Sequence, residues 1–199
     1  IRMIREENLV VDPVRIIRAY RLSAELGFQI EKDTKAALIR HSSLLSGSKP
    51  ERLTLEFFKI LNTKAALQTL EMMLIDGVLN KIIYSNNNKL TQLLEKLHEI
   101  NSNIDCIPLN IQLEILGDLS KHLDFKGLIF LEVLMVHASG ANLSLPSKIW
   151  KKVLQLRMAE KLHISDERHV LFDVFSVLGE NALDYLVVNR KEALFDEYD

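Results

Sequence analysis

Val11-Asp12-Pro13-Val14-Arg15-Ile16-Ile17-Arg18-Ala19-Tyr20-Arg21-Leu22-Ser23-Ala24-Glu25-Leu26-Gly27-Phe28 reads as one punctuated helix. Asp12 has the chemistry of an N-cap, because its carboxylate can accept from the free N–H groups of a first turn. Pro13 suits the first helical position, where its missing N–H costs nothing. Gly27 can take the left-handed conformation that stops a helix. At about 100° per residue, Ile16, Ile17, Tyr20 and Ala24 form an apolar face, and Arg15, Arg18 and Arg21 run obliquely down the other side. Leu22 and Leu26 fall beside Arg15, so apolar groups stand on two sides. The pattern predicts a helix wedged between two packed units, its arginines lining the seam.

Asp12 and Arg15 are i and i+3, neighbours on a helix surface. Two readings of the pair follow. One is a cap with a local ion pair. The other is a recognition pair: a carboxylate accepts from an exocyclic amine, a guanidinium donates to ring acceptors, and together they can read a base edge. Chemistry alone leaves both open.

Outward from this stretch, helical punctuation continues. Helices are expected over 32–42, starting near Asp33 or Thr34, over 50–62, with Pro50 near the first position, and over 64–75, ended by Asp76-Gly77. Residues 78–83 read as a short helix or a turn. Ser85-Asn86-Asn87-Asn88 is the clearest loop and the expected domain boundary. Further helices are expected over 89–100, 109–123, 126–138, 147–163, 165–178 and 181–193, with a loop at 139–142 and an acidic tail, Phe195–Asp199. The helix over 126–138 is apolar on most sides and should be central. The total is about nine or ten helices.

Composition agrees with an all-α protein. The chain has 199 residues, 48% hydrophobic and 26% charged, with only seven glycines and four prolines. A net charge of −2 means that any nucleic-acid footprint is local. The single Cys106 excludes an internal disulfide and a cysteine-based zinc site. There is no apolar run of membrane-spanning length and no signal-peptide pattern, so the expected location is cytoplasmic, with no membrane partner. Ile1-Arg2-Met3-Ile4-Arg5 alternates as a short strand does.

The run from Asp12 to Phe28 resembles the neck-helix motif of the class II nucleotidyltransferases. That family comprises the bacterial CCA-adding enzymes, their CC-adding and A-adding relatives, and the bacterial poly(A) polymerases. Gln29-Ile30-Glu31-Lys32-Asp33-Thr34 resembles the link to the next helix, and Leu44 to Leu53 with Glu56 resembles a following helix-turn segment. The resemblance is specific over residues 1 to about 80 and general beyond. It implies an all-α fold of neck and body domains. Residues 1–11 would end the linker from a catalytic head domain, 12–84 would be the neck and 89–199 the body.

The resemblance implies a function too. The full protein would add AMP or CMP to RNA 3′ ends, using Mg2+ and ATP or CTP, and this stretch would select the base and position the RNA. The family's motif usually reads Glu-Asp-x-x-Arg, where Asp and Arg pair with the incoming base. Asp12 and Arg15 match it; Val11 stands where Glu is usual, which leans towards an A-adding or poly(A)-polymerase-like member. Arg18, one turn on, is expected to support the nucleotide, and Arg21 to be structural. Glu51, Arg52 and Glu56 resemble an architectural motif, for which an Arg52–Glu56 ion pair at i, i+4 would suffice.

Nucleotidyl transfer needs closely spaced carboxylates for its metal ions. The family's Asp-x-Asp does not occur in this chain, nor does a glycine-rich phosphate loop. The stretch alone is therefore expected to have no catalytic residues, no metal, no bound nucleotide and no transferase activity. Its histidines include no His-Asp doublet. Lys148, Lys151 and Lys152, with Arg157 and Lys161 on the same expected helix and Trp150 beside them, form the densest basic stretch and the candidate RNA contacts. The rival readings are a stand-alone helical RNA-binding or scaffold module, and a protein–protein adaptor whose arginines pair with carboxylates.

Overall fold

A computed structural model of the chain describes residues 1–160 and 178–188. Among these residues the fold is all-α, with ten α-helices, short 3-10 turns and one two-stranded ribbon. The expected helix over 165–177, the part of 181–193 beyond 188, the acidic tail, and Lys161, His163 and His169 lie outside the described residues.

Ile1–Lys96 with Ala138–Leu145 form one compact unit. Its helices are α1 (Glu7–Val11), α2 (Val14–Leu26), α3 (Lys32–Arg40), α4 (Pro50–Leu61), α5 (Ala66–Ile75) and the first part of α6 (Asn87–Asn103). The arginine helix, α2, is its centre and packs on α1, α4 and α5. Ile16, Ile17 and Tyr20 are buried there, as the apolar face predicts; Val14 and Ala19 are buried beside them, and Ala24, expected on that face, is half-buried. The second apolar side departs from expectation. Leu22 is half-buried and Leu26 is 54% exposed, so within this unit that side borders open space. Gly27 stops α2 at φ 66, the left-handed conformation its lack of a Cβ permits.

Three further expectations are corrected. Asp12 does not cap α2. It ends α1 at φ −139 and ψ 85, Pro13 takes the cap position, and no side chain caps the helix. The unforeseen turn of α1 runs almost directly into α2, and the Asp12 carboxylate is taken by the Arg52 guanidinium instead of the first-turn N–H groups. Helix α3 is capped by Glu31, whose carboxylate accepts from the Thr34 N–H and hydroxyl, rather than starting at Asp33 or Thr34. Ile1 to Arg5 is not a strand; it is an extended segment tied down at single points. The Ile1 carbonyl accepts from the Glu31 N–H at 2.9 Å, and the Met3 N–H donates to Thr34 Oγ1 at 2.9 Å.

The loop after the central helix of the chain returns to this unit. There β2 (Gly140–Ala141) pairs antiparallel with β1 (Ile83–Tyr84), Ile83 opposite Ala141. Asn142 Nδ2 donates to the Leu45 carbonyl, and the Ser144 N–H to Thr54 Oγ1, both at 2.8 Å.

The second unit is Leu97–His137 with Pro146–Asp199. It contains the end of α6, then α7 (Leu109–Leu116), α8 (Phe125–Val136), α9 (Ser147–Glu160) and α10 (Ala182–Val188). Asp124 caps α8 by accepting from the Gly127 N–H at 2.6 Å. Every residue of α8 except Lys126 is buried, and the helix packs on α7, α9 and α10. The helix expected over 109–123 breaks at Gly117, whose φ of 46 and ψ of −131 end α7 before a 3-10 turn.

Candidate functional site

The arginine stripe of α2 meets α4, and α4 brings two side chains to it. One is Glu56, whose carboxylate is only 9% exposed. Its Oε1 accepts from Arg18 Nε and Nη2 at 3.3 and 3.2 Å, and its Oε2 lies 2.7 Å from Arg21 Nε in an ion-pair contact. Arg21 also donates to both oxygens of Glu25 at 3.2 Å. Arg21 is thus fully engaged by two carboxylates and is architectural.

The other is Arg52. Its Nη2 donates to Asp12 Oδ2 at 2.9 Å, whereas Arg15 Nε stands 3.7 Å from the same oxygen. The pairing expected between Arg52 and Glu56 does not form; Arg52 reaches back to Asp12 and Glu56 faces the stripe. On α4 the two side chains therefore serve different arginine-helix residues. The Arg52 hydrogen bond holds the Asp12 carboxyl below its ordinary range, against the opposing effect of burial, with Arg15 and Arg18 adding their charge.

The consequence is a graded stripe. Arg21 is 17% exposed, Arg18 is 37% and Arg15 is 51%. Asp12 Oδ1 is buried and has no hydrogen-bond donor among the described residues. A carboxylate beside a half-exposed guanidinium has the acceptor and donor chemistry to read a base edge, and with Oδ1 buried and Oδ2 held by Arg52 the carboxylate must turn outward for a base to reach it. Asp12, Arg15 and Arg18 thus lie together at one end of α2. Arg15 and Arg18 also border a cleft beside the helix.

Beneath the stripe, α2 is fixed by a buried polar group. Tyr20 donates its hydroxyl to Asp76 Oδ2 at 2.9 Å, and Lys35 Nζ lies 3.0 Å from Asp76 Oδ1. Burial, with the Asp76 hydrogen bond and charge behind it, raises the Tyr20 phenol well above its ordinary range, so it stays a donor.

The basic stretch on α9 is separate, in the second unit. Lys148 pairs with Asp118, Lys151 is exposed and Lys152 and Trp150 are half-buried. Arg157 is committed to α8: its Nε donates to the Val136 carbonyl at 2.9 Å and its Nη2 to the Met135 carbonyl. It closes the C-terminal end of that helix and is not a free phosphate contact. Among the described residues no group of three or more His, Cys, Asp or Glu could hold a metal ion.

Arg52 and Glu56 are the site residues whose partners sequence spacing misassigns. The i, i+4 rule sees only neighbours on one helix, and both side chains point to another.

Comparison with known proteins finds relatives in sequence and in fold. Residues 27–85 match a family model described as "Probable RNA and SrmB- binding site of polymerase A". A CCA-adding enzyme of Leuconostoc mesenteroides is 43% identical over 75 residues, which is 38% of this chain and 19% of that protein. The CCA-adding enzyme of Bacillus subtilis is 36% identical over 69 residues, 35% of this chain and 17% of that protein. The fold matches the Thermotoga maritima CCA-adding enzyme complexed with tRNA, with a TM-score of 0.70 at 20% identity, over 99% of this chain and 50% of that one. It also matches a tRNA nucleotidyltransferase complexed with a primer tRNA and an incoming ATP analogue, with a TM-score of 0.66 at 20% identity, over 100% of this chain and 60% of that one. The chain thus shares the fold of the helical part of these enzymes, resembles CCA-adding enzymes in sequence over about a third of its length, and spans about half the length of the solved relatives it matches.

Proposed function

We propose that this chain is the helical part of an RNA nucleotidyltransferase that selects the incoming base and positions RNA for addition of CMP or AMP at a 3′ end. The observation that carries the reading is the pair at the head of α2: half-exposed Arg15 stands beside Asp12, whose Oδ1 lacks a donor and becomes an acceptor for a base when the side chain turns outward. Adenine and cytosine both present an exocyclic amine next to a ring acceptor. The carboxylate accepts from the amine and the guanidinium donates to the ring nitrogen. Guanine and uracil present a carbonyl and a ring N–H there, so each contact is mismatched. A pair of this kind discriminates by about 1–3 kcal/mol. Arg52 keeps Asp12 ionised, and Glu56 fixes Arg18 beside the pair, where it supports the nucleotide, and holds Arg21 in the architecture.

Residues 12–84 act as the base-selecting neck in this reading, and 89–199 as the RNA-positioning body. RNA contact is supported by the family description over 27–85. On α9 the candidate contacts are Lys148, Lys151 and Lys152. In this reading the magnesium ions are held by a catalytic head domain. The curated relatives above are CCA-adding enzymes, which favours tRNA as substrate, whereas Val11 in place of the motif's Glu favours the A-adding or poly(A) branch.

The test is incorporation of each labelled nucleotide by the enzyme that carries this chain, with and without Arg15→Ala. Loss of preference for ATP and CTP supports base reading. Unchanged choice and rate would show that the arginine stripe serves only to pair carboxylates. Incorporation of CTP before ATP, or of ATP alone, separates the two branches.

A further inference from the structure

Helix α1 is held by a charged side chain at each end. At its far end Arg52 takes the Asp12 carboxylate. At its near end Glu6 stands just before the first helical residue and reaches the exit of α3. There Glu6 Oε1 accepts from His41 Nε2 at 2.7 Å and from Arg40 Nη1, so two donors meet at one carboxylate oxygen. The His41 hydrogen bond, with Arg40 behind it and against the effect of burial, lowers the Glu6 pKa, which keeps Glu6 an ionised acceptor at neutral pH. His41 Nε2 therefore donates whether or not the ring is charged.

Little else fixes α1. A helix of five residues does not hold its shape alone, Leu9 is its one buried residue, and Val10 and Val11 are exposed. The segment before it is tied to the other end of α3, where the Glu31 N–H donates to the Ile1 carbonyl and the Met3 N–H to Thr34 Oγ1, both at 2.9 Å. Ile1 to Glu6 is thus fixed to α3 at its entrance and again at its exit, before α1 carries the chain to Asp12. Arg15 is placed by α2, whose inner face is buried; Asp12 is placed by α1. The geometry of the Asp12–Arg15 pair is therefore the geometry of α1 against α2. Hydrogen bonds weaken steeply when donor and acceptor are misaligned, so a shift of α1 blunts discrimination between bases.

We propose that Glu6, clamped by His41 and Arg40, is a positioning residue for base selection and acts on Asp12 through α1. The inference rests on base reading at Asp12 and Arg15. The clamp is half-exposed, with side-chain exposures of 37% for Glu6, 22% for His41 and 63% for Arg40. Contacts this open add little to global stability. Its loss should appear in nucleotide choice and in local opening of α1, with the thermal melt nearly unchanged.

The experiment uses the enzyme that carries this chain, as wild type, Glu6→Ala, Glu6→Gln, the double variant Arg40→Ala, His41→Ala, the triple variant that adds Glu6→Ala to it, and Asp12→Ala. It reads kcat/KM for ATP over GTP and for CTP over UTP, and amide hydrogen exchange over residues 7–12. Glu6→Ala and the double variant should each lower both ratios about 3- to 10-fold, through ATP and CTP, with GTP and UTP unchanged. Exchange should quicken in α1 and stay as in wild type in α2. The double variant leaves the sequence of α1 intact, so its effect cannot come from helix propensity. The triple variant should be no worse than Glu6→Ala, because the three side chains act as one unit. Glu6→Gln should keep part of the ratio, as an acceptor without the charge. Ratios equal to wild type in the clamp variants, while Asp12→Ala lowers them, overturn the clamp and leave base reading standing. Equal losses for all four nucleotides, or unchanged exchange over 7–12, also overturn it. Unchanged ratios in Asp12→Ala count against base reading itself, and the clamp falls with it.

Discussion

Arg52 Nη2 donates to Asp12 Oδ2 at 2.9 Å, joining residues 40 positions apart and holding the carboxylate at the head of α2. The contact has a pH signature. Arg52, the first cause, lowers the Asp12 pKa below its ordinary 3.8. A carboxyl whose folded pKa lies below its unfolded one contributes stability that is complete above the unfolded value. That stability is lost as pH falls through the folded value. Thermal melts of the chain should therefore show an acid limb below about pH 4 that is shallower in Asp12→Asn. Identical limbs would mean that the contact adds nothing to folding.

Glu56 is the counter-charge of two arginines and is nearly buried. Removing one partner of such a group leaves the others uncompensated. Glu56→Ala should cost about 2–4 kcal/mol in denaturant unfolding, at the lower end if Arg18 and Arg21 swing to solvent. Glu56→Gln should cost less, because it keeps an acceptor for Arg18. A loss below about 0.5 kcal/mol for the alanine variant, the level of an exposed pair, would contradict this arrangement.

Tyr20→Phe removes one hydroxyl and leaves Asp76 Oδ2 without its buried donor, while Lys35 keeps Oδ1. The expected loss is about 1–3 kcal/mol, measured by chemical denaturation at neutral pH. Because burial and Asp76 keep the phenol protonated, the wild-type tyrosine absorbance should show no titration of Tyr20 before alkaline unfolding.

Gly27→Ala isolates backbone strain. A Cβ at Gly27 would meet nothing within 4 Å, so the cost is the left-handed φ of 66 alone. It should come to about 1 kcal/mol, with no change at the arginine stripe.

Much of this was legible in the sequence. Helix α2 shows its inward face through Ile16, Ile17 and Tyr20 and its end through Gly27, because burial and termination are local chemistry. The nearly uniform apolar run from Phe125 to Val136 likewise shows a helix buried on almost every side. What periodicity cannot show is which distant partner a charged side chain chooses. Arg52 reaches Asp12 and not Glu56, and Glu31 caps α3 in place of Asp33, because packing of neighbouring segments decides both. The segment before α1 misleads for a related reason. Alternation in Ile1 to Arg5 reads as a strand, but single hydrogen bonds to Glu31 and Thr34 lay it along a cleft instead. The ribbon joining residues 83–84 to 140–141 is two residues per strand, too short to leave a pattern.

Base reading at Asp12 and Arg15 is tested most directly by the ratio of kcat/KM for ATP over GTP, and for CTP over UTP, in the enzyme that carries this chain, compared between wild type and Asp12→Ala. Loss of the carboxylate acceptor should reduce both ratios by about 5- to 100-fold, while RNA affinity stays unchanged. Ratios equal to wild type in a folded Asp12→Ala enzyme would contradict base selection by this pair.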